Sequence, residues 1–153
     1  MTRDIQIPPA ELIERFESAC RDRKLKITQQ RLEVFRELAR YPGHPTADDI
    51  YVRVRRRLKT ISLDTVYRTI GTFEKHGLIK RLQLIDNKAR YDINLDQHHH
   101  LVCTRCRKIE DFYWPDFDRL NPPRDARQWG AVNSKHVEIH GLCQKCRKKL
   151  SKQ

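Results

Sequence analysis

From His98 to Asp111 the chain reads HHHLVCTRCRKIED, a stretch that combines three histidines, a Cys-x-x-Cys pair and a terminal carboxylate. A second Cys-x-x-Cys pair, Cys143 and Cys146, follows near the C-terminus. Thiolates suit a closed zinc site, whereas imidazoles and carboxylates suit a different, harder ion. The stretch therefore predicts two kinds of metal site carried by one small lobe.

The paired cysteines predict a structural zinc rather than a catalytic one, because four thiolates leave no open coordination position. The ligands are Cys103, Cys106, Cys143 and Cys146. A disulfide or a redox-active dithiol is the alternative, and it fits less well because the N-terminus lacks the apolar stretch of a signal peptide. We therefore expect a cytoplasmic protein, with the fifth cysteine, Cys20, as a buried core residue.

Composition indicates a polyanionic partner. The chain has 153 residues, 38% hydrophobic content and a net charge of +12, and both of its halves are basic. A generic solvated surface would explain single lysines but fits a pI near 9.8 less well, so nucleic acid is favoured over an anionic membrane surface. No apolar run approaches the roughly 20 residues that a membrane span requires.

The first half predicts a helix-turn-helix. Apolar periodicity and capping residues indicate four helices, beginning at about Ala10, Gln29, Ala47 and Leu63, the third extending to about Leu58. Thr28, Thr46 and Ser62 are the expected caps, and Gly77 is the expected end of the fourth helix. The exposed face of that helix carries the side chains that we expect to contact bases and phosphates, namely Thr65, Tyr67, Arg68, Thr69 and Thr72.

A β-hairpin is expected directly after the fourth helix. Leu78–Leu84 and Ala89–Ile93 alternate like strands around the turn Asp86-Asn87-Lys88. A hairpin in this place is a wing, with Lys88 and Arg90 near phosphate, and the exposed run of Arg55, Arg56 and Arg57 adds basic contacts. The alternative is a structural four-helix lobe with a ribbon.

The second half predicts a thin mixed layer that needs a metal or a second copy for stability. Strands are expected at 98–102, 109–113 and 131–139, and helices at about 115–120 and from Gln144 onward. On a strand, His98 and His100 point to one face and His99 to the other. With carboxylates from Asp92 and Asp111 they could bind Fe(II), Mn(II) or zinc, although a plain polar histidine cluster is an open alternative.

These motifs resemble the ferric uptake regulator (Fur) superfamily of bacterial metal-dependent repressors. The resemblance rests on five segments in family order, at 44–51, 62–69, 90–92, 98–106 and 141–146. It implies a winged-helix domain (1–93), a dimerisation domain (94–153) and a homodimer that binds palindromic operator DNA. The fold class is accordingly α+β, with a winged helix-turn-helix followed by a small α/β domain that holds zinc.

By resemblance, the regulatory Fe(II) or Mn(II) site falls on His44, Asp92, His98, His100 and Asp111. Aspartate at 111 is similar to the peroxide-sensing (PerR) branch, in which Fe(II) and hydrogen peroxide oxidise a ligand histidine, here His44 or His98. A repressor of metal uptake that lacks peroxide chemistry is the alternative, and a metal-dependent hydrolase is a distant one, so we do not expect an enzyme.

Two positions depart from the family pattern. A further site of many iron sensors uses histidines where this chain has Gln97 and Lys135, so we expect that site to be missing. His136 and His140 lie nearby and leave a further metal site open. The segment Asn121-Pro122-Pro123-Arg124 is expected to be irregular.

Overall fold

The computed structural model of the chain describes residues 7–83 and 87–151. They divide into two compact units, residues 7–95 and 96–151. Leu84, the end of the first expected wing strand, and Asp86, the first residue of the expected turn, lie outside the described residues. Within the described part of the chain, no helix is both long and apolar enough to cross a membrane.

The first unit consists of four helices and a hairpin. Its elements are α1 (Pro9–Asp22), α2 (Gln29–Arg40), α3 (Ala47–Val54), α4 (Leu63–Lys75), β1 (Lys80–Gln83) and β2 (Ala89–Asp92). The strands pair antiparallel, with Lys80 opposite Asp92. The predicted order of helices followed by a hairpin is confirmed.

Side-chain caps fix where three of these helices begin. The Thr28 hydroxyl accepts the Arg31 N–H at 3.3 Å, and the Ser62 hydroxyl accepts the Thr65 N–H at 3.1 Å. Thr46 forms a reciprocal capping box with Asp49, in which each side chain satisfies a backbone N–H that the first helical turn leaves free.

Helix α3 is shorter than predicted. It ends at Val54, because the following residues close tighter three-residue turns, with the Arg57 N–H bonded to the Val54 carbonyl at 3.0 Å. Apolar spacing alone does not distinguish such turns from a continued α-helix. Helix α4 ends as expected before Gly77, whose φ of 65° is favoured by glycine.

The core of the first unit is built around three aromatic rings. Phe16 stacks on Phe35 with centroids 4.0 Å apart, and Phe73 meets both rings edge to face. Val34, Ile50 and Val66 fill the surrounding space, and Cys20 is buried among these residues as predicted. This unit therefore has an apolar core independent of any metal.

The second unit is a three-stranded sheet with short helices. Its elements are β3 (His99–Cys103), β4 (Ile109–Phe112), α5 (Pro115–Arg119), α6 (Arg124–Trp129), β5 (Glu138–Gly141) and α7 (Gln144–Leu150). The strand order is β4-β3-β5, with β4 antiparallel and β5 parallel to β3. The α+β class is confirmed.

One predicted strand of the second unit is wrong in its extent, and one short helix was not predicted. The strand expected at 131–139 is limited to Glu138–Gly141, because its partner β3 begins only at His99 and pairs from His100 onward. Residues 121–123 are irregular as expected, but they lead into α6, which was not predicted and which starts at Arg124 directly after Pro123 and ends before Gly130. Proline before the first helical turn costs no intrahelical hydrogen bond, so it marked a beginning rather than a break.

Candidate metal centres

The four paired cysteines converge at one end of the second unit. Cys103 ends β3, Cys106 lies in the following turn, Cys143 precedes α7 and Cys146 lies within it. The four Sγ atoms all lie within 4.8 Å of one another, and those of Cys106 and Cys143 are 3.8 Å apart. Zinc–sulfur bonds of about 2.3 Å at the tetrahedral angle place sulfurs about 3.8 Å apart, far longer than a disulfide bond.

Backbone donors prepare this set to carry negative charge. The N–H groups of Cys143 and Cys106 lower the pKa of the Cys103 thiol to about 6. Burial and the neighbouring thiols raise the pKa of Cys146 to about 12. Ionisation of one thiol therefore disfavours ionisation of its neighbours, and a bound dication would stabilise all four thiolates. The residues present therefore fit a structural zinc.

Three nitrogen and oxygen donors converge on one face of the sheet. His98 and His100 have their Nε2 atoms 3.0 Å apart, and Asp111, which pairs with His100 across β3 and β4, brings its carboxylate oxygens to 3.6 and 3.7 Å of these nitrogens. All three side chains are at least partly buried. The predicted placement of these residues on one face is observed.

The tautomer of His98 is fixed by the backbone. Its Nδ1 lies 2.7 Å from the Asp96 carbonyl oxygen, which only accepts, so Nδ1 carries the proton and Nε2 keeps its lone pair for an ion. This role of Asp96 could not be predicted from the sequence, because every residue has a backbone carbonyl and residue type does not mark the one that is used. The set fits an ion that prefers nitrogen and oxygen ligands.

The other two predicted ligands meet within the first unit. The Tyr91 N–H donates to the Pro45 carbonyl at 2.9 Å, which brings the end of β2 beside the segment before α3. His44 Nε2 then lies 3.6 Å from Asp92 Oδ2, and both side chains are buried. The second oxygen of Asp92 accepts the Asn94 N–H at 2.8 Å, which fixes the direction of the carboxylate.

The predicted DNA-facing residues are exposed to different degrees. Tyr67 and Arg68 are exposed, Thr65 and Thr72 are half-buried, and Thr69 is only 7% exposed. Tyr67 donates its hydroxyl to Asp48 at 3.2 Å, and Arg68 pairs with Asp64 at 2.9 Å. Arg55, Arg56, Arg57 and Lys88 are exposed, with Arg57 lying 3.8 Å from the nearly buried Glu33.

The residues around the family's further site do not form a third ligand cluster. His140 lies 3.3 Å from Glu138, and among the described residues neither His136 nor His140 joins a group of three or more metal-binding side chains. Gln97 and Lys135 lie together, with the Gln97 amide donating to the Lys135 carbonyl at 2.8 Å.

Comparison with known proteins identifies the family. The sequence model of the ferric uptake regulator family matches residues 22–140. This chain belongs to the ferric uptake regulator family. It is 35% identical over 125 residues to the peroxide operon regulator of Bacillus subtilis, covering 82% of this chain and 86% of that protein.

Two solved structures share the fold. The Helicobacter pylori ferric uptake regulator, which has three functional metal-binding sites, superposes with a TM-score of 0.70 at 26% identity, covering 91% of this chain and 93% of the other. The Campylobacter jejuni peroxide stress regulator gives 0.65 at 30% identity, covering 85% and 98%. The chain is thus a Fur-family metal-responsive repressor, with cysteines for structural zinc and a His/Asp set for a regulatory metal.

Proposed function

We propose that this protein is a homodimeric, DNA-binding repressor that senses hydrogen peroxide through a regulatory Fe(II). His44 and Asp92 of the first unit and His98, His100 and Asp111 of the second are the proposed ligands. The observation that carries the proposal is the donor set of nitrogen and oxygen atoms at His98, His100 and Asp111, which contains no thiolate and has aspartate at 111. Relatives described as peroxide-responsive support it.

The proposed DNA contact uses the exposed part of α4 and the basic residues near it. Tyr67 and Arg68 are the central contacts, flanked by Thr65 and Thr72. Arg55, Arg56, Arg57 and Lys88 supply phosphate contacts. Thr69 is left out of the proposed set because its side chain is buried.

The proposed dimer is formed by the second unit. This unit exposes large apolar side chains, including Trp129 at 84% and Leu120 at 61% exposure. A metal that binds ligands from both units would hold the two DNA-binding units of the dimer at the spacing of successive major grooves. Coupling of this kind is typically worth about 1–3 kcal/mol, or roughly 5- to 150-fold in DNA affinity.

Peroxide sensing would then destroy the regulatory site. A bound Fe(II) would supply the one-electron chemistry that cleaves the O–O bond of hydrogen peroxide, and the electron that it gives would be recovered from the ring as the ring is oxidised. One ring C–H of His44 or His98 becomes C–OH, so that one peroxide and one imidazole yield one oxidised ring and one water. The oxidised ring is a poor ligand, and the protein loses both metal and operator.

The first experiment measures DNA binding. Duplexes are selected from a random pool with Mn(II)-loaded protein, and affinity is compared between the metal-free, Mn(II)-loaded, Zn(II)-loaded and anaerobic Fe(II)-loaded forms. We expect a palindromic site that is bound at least fivefold more tightly with Mn(II) or Fe(II). Equal affinity with and without metal would contradict the repressor mechanism and leave the hydrolase alternative to be tested.

The second experiment separates peroxide sensing from iron sensing. Fe(II)-loaded protein is exposed briefly to peroxide, and its peptides are analysed by mass spectrometry. We expect one added oxygen on a peptide containing His44 or His98, none on peptides containing His76 or His140, and none in the Mn(II) form. The matched variant Asp111→Glu should keep metal-dependent DNA binding and oxidise more slowly. Unmodified His44 and His98 peptides would favour the iron-responsive alternative.

A further inference from the structure

A second polar cluster lies on the face of β3 opposite the regulatory histidines. At its centre is His99, fully buried, with its ring against Phe112 and Phe117. His99 Nδ1 accepts the Val137 N–H at 3.1 Å, so the ring proton is on Nε2. That atom faces Asp118 Oδ1 at 3.3 Å.

Gln97 and Lys135 close the cluster. The Gln97 amide donates to Asp118 Oδ1 at 3.1 Å and to the Lys135 carbonyl. The Lys135 ammonium donates to the carbonyls of Phe117, at 2.7 Å, and Leu120, and lies 5.1 Å from the centroid of the Phe117 ring. One ammonium therefore bonds two carbonyls at the end of α5, that of Leu120 and that of Phe117, which also accepts the Leu120 N–H at 3.1 Å.

Histidine and aspartate side chains are common metal ligands, and a cation could reach this pair from solvent. Gln97, Asp118 and Lys135 line an open cavity of about 260 Å³. The donors, however, do not suit a cation. His99 Nε2 carries its proton, the Gln97 amide points N–H groups at its partners, and within the described residues no third His, Cys, Asp or Glu completes the pair. The Lys135 ammonium, which is bonded to the carbonyl of Phe117 directly before Asp118, would also repel a divalent ion.

We propose that the Lys135 ammonium is the resident cation of this cluster, so that the second unit takes no divalent ion on this face of β3. The lysine ties the segment before β5 to α5, as a bound metal would. The same segment is hydrogen-bonded to β3, the strand that carries His100. The Val137 N–H donates to His99 Nδ1, and the Val137 carbonyl accepts the His100 N–H at 3.1 Å. The chain should therefore hold two metal ions where the H. pylori relative has three functional sites.

The test is a count of metal ions per chain. Zinc-containing protein is equilibrated with Mn(II) or Co(II), and bound metal is measured by mass spectrometry of the eluted protein. We expect one zinc and one further ion in the natural protein. The double variant Gln97→His/Lys135→His should bind one more Co(II), and the control Lys149→His, which adds a histidine on exposed α7, should not.

A third ion in the natural protein that is lost in Asp118→Asn would overturn the proposal. So would a double variant that remains folded by circular dichroism and binds no additional ion. A third variant, Lys135→Met, keeps the alkyl chain over Phe117 but removes the ammonium. It should lower the melting temperature of the second unit by several degrees more than Lys149→Met does, with unchanged zinc content, and an equal melting temperature in both variants would contradict the proposed role.

Discussion

Removing zinc should unfold the second unit and leave the first one folded. Apart from the two zinc-binding cysteines Cys103 and Cys146, the fully buried apolar side chains of the second unit among the described residues are Val102 and Ile109. Two such side chains stabilise a fold by about 3–6 kcal/mol. A structural zinc contributes about 10–16 kcal/mol in small zinc-binding peptides, so the metal is the dominant stabilising interaction of this unit.

The two units can be followed separately in one sample. Both tryptophans, Trp114 and Trp129, belong to the second unit, and Trp114 packs near Phe117 with ring centroids 5.6 Å apart. Most helical residues lie in the first unit. A strong chelator under reducing conditions should therefore shift the emission of Trp114 to the red, with little change from Trp129, which is already 84% exposed, while most of the far-ultraviolet circular dichroism persists.

Two cysteine variants give matched controls for this experiment. Cys143→Ser should reproduce the effect of the chelator. Cys20→Ser, in the core of the first unit, should lower the helical transition and leave zinc content and tryptophan emission unchanged. The reasoning would be refuted if emission stayed unshifted after complete loss of zinc, or if the helical signal collapsed together with it.

Three further substitutions test the packing of the first unit by thermal and urea denaturation. Phe73→Ala should destabilise it by about 3–5 kcal/mol, because this fully buried ring contacts two others; a loss below about 1 kcal/mol would contradict the described core. Thr46→Ala, which breaks the capping box with Asp49, should cost about 0.5–2 kcal/mol, whereas the exposed turn variant Thr60→Ala should cost nothing measurable. Arg53→Met removes the 2.8 Å partner of the buried Glu37 carboxylate and leaves it Arg40 at 3.9 Å, so it should cost about 1–3 kcal/mol; adding Glu37→Met should restore most of it, and a double variant as unstable as the single one would argue against the ion pair.

Local sequence signals predicted the elements of the first unit well. Thr28, Thr46 and Ser62 begin helices as their side-chain chemistry requires, and Gly77 follows the end of α4. Each signal acts within one helical turn, so no knowledge of distant contacts was needed. The end of α3 was missed because a tightened turn after Val54 keeps the same apolar spacing as a helix.

Prediction was weaker where pairing over long sequence distances decides the structure. The extent of β5 depends on where β3 begins, and α6, which was not predicted, follows the irregular residues 121–123. In the segment before β5, the positions of Lys135 and Val137 are set by hydrogen bonds to residues that lie far away in sequence. Spacing within the segment carries no information about those partners.

Residue types and their spacing were enough to predict the chemistry of the sites: two cysteine pairs for zinc, alternate histidines that share one strand face, and carboxylates at 92 and 111. These follow from residue type and from the two-residue period of a strand, which are local properties. Which atoms face one another depends on the folded chain, as when the Asp96 carbonyl sets the tautomer of His98. The partners of His99, the middle residue of the histidine triplet, could not be predicted either, because Val137 and Asp118 lie far from it in sequence.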